Sequence, residues 1–289
     1  ETFDPHDESQ VREVAQQYVD LRFADARRAV ENDDWLRIDR IGMRLLGTDG
    51  LAPLEWLYLK MALTGLGNPD AKYVMVDEVQ DYTAAQLAVL ARYFRRAHFL
   101  LLGDPNQAIA PDTAAFDEVR QVEECRLMTS YRSTPEITAL FASLLPPEEQ
   151  LQVSSIQRAD EPPAVRAFDD DAAYADALRA AVAGARAGEG LAAVIVPWKH
   201  EAKRLQQLLG EDAPPLLDER DELPASGVVL ITLKLAKGLE FDHVIVPDAS
   251  ARAFPGEDDL ARRRLYTTIS RATRHLTLLS NGDLMELLG

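Results

Sequence analysis

Apolar residues return along this chain at two different periods, and the change from one to the other lays out its elements. From 1 to 66 the period is helical. Val11, Val14, Ala15, Tyr18 and Val19 share a face, 24–30 continue amid alternating charge, and Leu36, Ile38, Ile41, Leu45 and Leu46 form a second stripe. Pro53 suits the first turn of a helix over 54–63, which is apolar nearly all round and therefore expected to be buried. Gly65, Gly67, Asn68 and Pro69 then break the chain. Short apolar runs at 73–76 and 98–102 flank another helical pattern and read as two buried parallel strands joined by a helix.

The second half alternates in the same way. Ser133 or Thr134 can cap a helix whose first turn holds Pro135 and Glu136. Loops are expected at 146–149 and 159–163, and an Ala-rich helix at 169–187. The run 191–196 reads as a buried strand stopped by Pro197. The helix 201–209 follows, with Leu205, Leu208 and Leu209 facing inward. The acidic, Pro-bearing stretch 212–227 reads as a solvated loop, and further strands are expected at 228–232, 243–247 and 275–279. In the last helix, from Leu260, the residues Leu265, Ile269 and Ala272 share one side, which leaves Arg271 free to leave the core. Strands alternate with helices twice over. The pattern predicts an α/β fold of two parallel-sheet lobes after an N-terminal helical segment, divided as 1–70, 71–125 and 126–289.

Composition narrows the class. A chain of 289 residues with 47% hydrophobic residues has ample length for a core, and no apolar run approaches the roughly 18 residues of a membrane span. A soluble, globular and cytoplasmic protein is expected. Its lone cysteine, Cys125, excludes an internal disulfide and reads as a small core residue. Glu1 stands where an initiator Met is expected, so the chain reads as a piece of a longer one. The net charge of −17 argues against a broad electrostatic grip on nucleic acid, and leaves contact with it to local patches.

The candidate chemistry gathers between 72 and 107. The first strand runs into Asp77 and Glu78, and the second into Gly103-Asp104 with Gln107 three residues on. Open α/β sheets bind ligands at the carboxyl ends of their strands. There an Asp can hold Mg²⁺ while a neighbouring acid or Gln places an attacking water, and Asp77, Glu78 and Gln107 suit those three tasks. Tyr131-Arg132, just before a helix start, suits a site that stacks a base and touches phosphate.

Five segments occur in order: Asp-Glu-x-Gln-Asp at Asp77, Gly-Asp-x-x-Gln at Gly103, Ser-Tyr-Arg-Ser at Ser130, Thr-x-x-x-x-Lys-Gly-Leu-Glu-Phe at Thr232, and Ser-Arg-Ala at Ser270. Over about 51–280 the set resembles motifs II to VI of the UvrD/Rep branch of superfamily 1 helicases. The resemblance implies two RecA-like lobes, the first incomplete, acting on ATP with Mg²⁺. It implies that Asp77 binds the metal, Glu78 activates the hydrolytic water and Gln107 senses the γ-phosphate. Tyr131 would stack on the adenine, Arg132 and Arg271 would be arginine fingers, and Glu240 would contact the ribose beside the turn at Lys237-Gly238.

Three departures accompany the matches. No Gly-x-x-x-x-Gly-Lys-[Ser/Thr] phosphate loop occurs, so it is expected in a missing N-terminal part of the parent chain, and the piece alone is expected to hydrolyse little ATP. The residues after Gln107, Ala108-Ile109-Ala110-Pro111-Asp112, offer no aromatic ring for a single-stranded base. Only 197–227 separates the strand 191–196 from the Thr232 segment, too little for an inserted domain, and Lys234 stands at the usual motif His. With Asp81-Tyr82 and the helix 54–63, these features resemble the HelD group, helicase-like ATPases that bind bacterial RNA polymerase and help release it from nucleic acid. The alternatives are a UvrD/Rep-type helicase moving on single-stranded DNA, and a binding module that keeps the fold and hydrolyses nothing.

Overall fold

The computed structural model describes residues 6–111, 113, 123–150 and 152–288; Glu1, at the start of the helical region, and Asp112 lie outside them. The chain divides into two compact units, Glu1–Met75 with Ala84–Leu100, and Val76–Thr83 with Leu101–Gly289.

The first unit is mostly helical. Helix α1 (Glu8–Arg22) begins where Asp7 accepts from the Ser9 and Gln10 amides, and α2 (Ala24–Glu31) and α3 (Ile38–Leu46) follow. Helix α4 (Pro53–Thr64) starts with proline in its first turn and a Glu55 carboxylate that accepts from the Ala52 amide at 2.9 Å. Its expected burial is not what forms: Met61 alone is buried, while Trp56, Tyr58 and Leu63 are exposed. α4 packs on α3 and on α5 (Ala84–Tyr93), which leaves its other sides uncovered.

Strands β1 (Tyr73–Val76) and β2 (His98–Leu101) pair where the pattern put them. They are not buried strands, since Tyr73, Met75 and Leu100 are exposed. Among the described residues their sheet has two strands, too few to cover both faces.

The second unit is built on a five-stranded sheet in the order β5-β9-β8-β6-β7, every pair parallel. The strands are β5 (Ala164–Phe168), β6 (Leu191–Val196), β7 (Gly227–Thr232), β8 (Phe241–Val246) and β9 (Ala272–Asn281). All six residues of β6 are apolar and buried, as a central parallel strand requires. Alternation sends its side chains to two cores. Leu191, Ala193 and Ile195 meet α6 (Pro135–Ala142), α10 (Leu233–Ala236) and α11 (Asp259–Ile269). Ala192, Val194 and Val196 meet α8 (Asp171–Ala187) and α9 (Lys199–Leu209). The chain is thus mixed α/β with a parallel main sheet and N-terminal helices, consistent with RecA-like lobes.

Several details depart from the pattern. A small pair, β3 (Thr129–Ser130) with β4 (Ser154–Ser155), and the edge strand β5 were not foreseen, being too short or too exposed to carry a period. Residues 146–149 give a one-turn helix, α7 (Pro147–Gln150), instead of a loop. Leu208 is exposed, and Ala202 takes the inward place with Leu205 and Leu209. Cys125 is exposed in an irregular segment and is no core residue. The stretch 212–227 is not free in solvent: Leu217 donates to the Leu230 carbonyl and Leu230 to that of Pro215, both at 2.9 Å, so it caps the free edge of β7. Among the described residues no helix is long and apolar enough to cross a membrane.

Gly190 adopts φ +82°, and a methyl group there would lie 2.0 Å from the Asp242 Oδ2 that accepts from the Leu191 amide. Gly190→Ala should destabilise by about 2–3 kcal/mol, from left-handed strain plus a displaced hydrogen bond, read as a lowered urea midpoint.

His243 sits on β8 with Nε2 2.9 Å from Thr277 Oγ1, and burial followed by the nearby His275 pushes its imidazole down from 6.5 to about 4. The unfolded chain takes up this proton first. The stability carried by the neutral ring is therefore complete above about pH 6.5 and lost as the pH falls towards about 4. The urea midpoint should fall more across that interval in the wild type than in His243→Gln.

Candidate active site

The second unit brings the ordered motifs together. After β1 the chain turns sharply. Asp77 Oδ1 accepts from the Glu78 amide at 2.8 Å, and Glu78 adopts φ 51°, a left-handed conformation that costs a non-glycine residue about 1–2 kcal/mol. The turn holds because Gln80 is fully buried and satisfied at both ends. Its Nε2 donates to Glu78 Oε2, and its Oε1 accepts from the Asp104 amide at 3.1 Å. Backbone bonds of 2.8–2.9 Å from Leu102 to Val76 and from Val79 to Leu102 complete the clamp.

Asp104 caps the short 3-10 turn Pro105–Gln107, accepting from Asn106 N at 2.9 Å, and its Oδ2 also accepts from Gln107 Nε2 and from the Tyr266 hydroxyl. Burial, then the Asp104 charge, push the Tyr266 phenol well above its ordinary range, so the proton stays on Tyr266. Gln107 turns its carbonyl the other way, where Oε1 accepts from Arg271 Nη2 at 2.6 Å.

Arg271 corrects the sequence reading. The helix α11 ends at Ile269 and β9 begins at Ala272, so Ala272 continues a strand and Arg271 stands at the junction, pointing inward. It is only 2% exposed. The Thr267 and Leu239 carbonyls, Ser270 Oγ and Gln107 Oε1 accept from it. Burial and then the charge of Arg132 lower its pKa, opposed by Glu78, Glu240 and Asp104.

Lys237 is the member that sequence reasoning passed over. Its ammonium donates to both Asp81 oxygens at 2.6 Å and to the Gln107 carbonyl at 3.1 Å, and lies 3.5 Å from Glu78 Oε2. Gly238, at φ +80°, makes the turn that returns the chain to β8. Arg132 and Glu240 pair with each other at 2.5 Å, half exposed. Asp77 meets the amide of Glu78 beside it, and Tyr131 is 69% exposed and stacks on no ring among the described residues. Gln80, Asp81, Asp104 and Lys237 lay inside segments already singled out, while Tyr266 gave no signal beyond its neighbours.

No group of three or more His, Cys, Asp or Glu among the described residues could enclose a metal. A Mg²⁺ shared with phosphates needs only one or two carboxylates, which Asp77 and Glu78 could supply.

Residues 51–110 match the UvrD/REP helicase N-terminal domain, and residues 227–279 the UvrD-like helicase C-terminal domain. The chain carries UvrD-like helicase N- and C-terminal domains. Among solved structures, it is 30% identical to the C-terminal domain of a possible DNA helicase from Lactobacillus plantarum WCFS1, with 55% of this chain and 92% of that one covered and a TM-score of 0.46. The PRRSV helicase is 17% identical, with 76% of this chain and 37% of that one covered, at a TM-score of 0.39. No curated protein matches the chain. The UvrD-like segments span both sides of the polar cluster: Asp77, Glu78, Gln80, Asp81, Asp104 and Gln107 fall within the first, and Lys237, Gly238, Glu240 and Arg271 within the second.

The buried Gln80 offers a test of the clamp that presents Glu78. Gln80→Ala should cost about 1–3 kcal/mol by leaving the Asp104 amide unpaired, read by urea unfolding of the purified chain.

Proposed function

We propose that this chain is part of an ATP-dependent superfamily 1 motor, built from part of a first lobe (71–125) and a second lobe (126–289), with 1–70 as a helical segment before them. One observation carries this reading. The buried Arg271 reaches Gln107, and Lys237 reaches Asp81 and the Gln107 carbonyl, so that cations of the late motifs close on the acids and amide that follow β1 and β2.

Phosphoryl transfer asks little covalent chemistry of a protein; it asks for positioned charge. Bound ATP with Mg²⁺ would supply the phosphoryl group and the metal that neutralises it. Asp77 would hold that metal and Glu78 would take the proton of the attacking water. Gln107, whose carbonyl holds Arg271 and whose amide holds Asp104, would relay the state of the γ-phosphate to the late motifs. Arg132 and Arg271 would meet developing charge, Glu240 the ribose and Tyr131 the adenine. Gly238 shapes the turn beneath them. Arg132 must then exchange Glu240 for phosphate, a cheap exchange because a half-exposed pair is worth at most about 1 kcal/mol.

For the partner, the HelD-like reading is the one we adopt: a motor that remodels complexes of RNA polymerase with nucleic acid. It draws on the net charge of −17, the absence of an aromatic ring in 108–111, and the short connection at 197–227. Translocation on single-stranded DNA is the second reading, favoured by the UvrD-like matches at 51–110 and 227–279.

The test is steady-state ATP hydrolysis by the full-length parent protein and its Glu78→Gln variant. A general base contributes roughly 10²–10⁴ in rate, so the variant should lose at least about a hundredfold in turnover while still binding nucleotide. Retained turnover would remove Glu78 from the role of base. Parent turnover indifferent to single-stranded DNA supports the polymerase partner, and stimulation of tenfold or more supports the strand-tracking one.

A further inference from the structure

Tyr266 is a buried phenol that no role assigned above uses. It is 9% exposed on α11, and its ring meets Phe141 edge-on with centroids 5.4 Å apart. A tyrosine kept only for its ring would leave a buried hydroxyl to be satisfied, so the partner of that oxygen is informative. The partner is Asp104 Oδ2, at 3.2 Å and 162 residues away in sequence. Burial and then the Asp104 charge keep the proton on the phenol, so Tyr266 donates and the carboxylate accepts.

The same helix and the junction after it hold the segment that follows β2 at three points. Tyr266 takes Asp104, Arg271 takes Gln107 Oε1 at 2.6 Å, and Arg264 Nε donates to the Ile109 carbonyl at 3.1 Å. Between them Gln107 is bound at both ends of its amide, with Nε2 donating to Asp104 Oδ2 at 3.0 Å and Oε1 accepting from Arg271 Nη2. Neither end can be reversed. A carboxylate only accepts and a guanidinium only donates, so a flipped amide would set oxygen against oxygen and nitrogen against nitrogen. The two constraints differ in permanence. In the proposed reaction Arg271 turns to the phosphates and releases Oε1, and Asp104 alone then decides which way the amide faces. Asp104 Oδ2 is itself shared, and its second donor is Tyr266.

We propose that Tyr266 is a positioning residue for hydrolysis: by holding Asp104 it keeps the carbonyl end of the Gln107 amide toward the reacting phosphate. The proposal rests on the reading above, in which Gln107 faces the γ-phosphate, and adds the group that keeps it in register. Only the carbonyl end can accept from an attacking water, so an amide free to flip would present the wrong end for part of the time. Binding of ATP does not depend on that alignment, whereas the chemical step does. The signature is therefore a fall in kcat at constant KM.

The experiment takes Tyr266→Phe, which keeps the ring against Phe141 and removes only the hydroxyl, through two assays. In the full-length parent, kcat for ATP should fall about five- to tenfold, the scale of one lost hydrogen bond, with KM unchanged. Combined with Gln107→Ala, it should be no slower than Gln107→Ala alone, because Tyr266 acts only through that amide. In the purified chain without nucleotide, the Gln107 side-chain amide resonances, identified by their loss in Gln107→Ala, should move in Tyr266→Phe and again in Asp104→Asn. Unchanged kcat, a rise in KM at constant kcat, or losses that multiply in the double variant would each overturn the role. So would Gln107 resonances indifferent to Tyr266→Phe. A parent that hydrolyses no ATP would overturn the motor reading and this role with it, whereas any of the other results in an active parent overturns this role alone.

Discussion

A guanidinium taken out of water must find acceptors or lose several kcal/mol, and Arg271 is out of water almost completely. Its own helix end supplies the Thr267 carbonyl and Ser270 Oγ, and the turn before β8 supplies the Leu239 carbonyl. The fourth acceptor, Gln107 Oε1, comes from 164 residues away in sequence. That long-range bond fixes the orientation of the Gln107 amide, which in turn leaves its Nε2 for Asp104. Asp104 is then shared with Tyr266 of α11 and, through its amide, with buried Gln80. One buried cation thus sets the geometry of three segments, and the strained backbone of Glu78 is held at the end of that series.

The sheet behind this cluster is rigid for a different reason. Alternate residues of β6 feed two separate cores, so neither face can slip by one residue without placing its whole apolar set against the wrong helices. Polar side chains are left to the rims. The amino ends of β8 and β9 carry Glu240 and Arg271, and the carboxyl ends of β6 and β7 carry Trp198, Lys199 and Lys234. Strand direction places these two sets at opposite ends of the parallel sheet.

Much of this was legible in the sequence where a single element carries its own signal. The strand β6 was read to the residue, because a central parallel strand is apolar without interruption and Pro197 ends it. The caps of α4 and α6 were legible from Pro53 and from Thr134-Pro135, since a proline in the first turn is a local steric fact. Asp77, Glu78 and Gln107 stood out as polar residues at strand ends. Leu208 and Cys125 were misread because burial depends on what packs opposite, which no period records. The near-continuous apolarity of α4 misled for the same reason.

The sequence by itself determined the alternation of strands and helices, their capping and the polar segments between them, because these follow from backbone sterics and from side-chain period over a few residues. Only the tertiary structure decided which polar groups meet. Lys237 finds Asp81 and Gln107 across 156 and 130 residues, and Arg271 turns inward, where helical spacing alone would have sent it out. The reason is electrostatic. A charge removed from water takes whatever acceptors the folded chain brings within about 3 Å, and that partner list is a property of topology, which no local pattern of residues encodes.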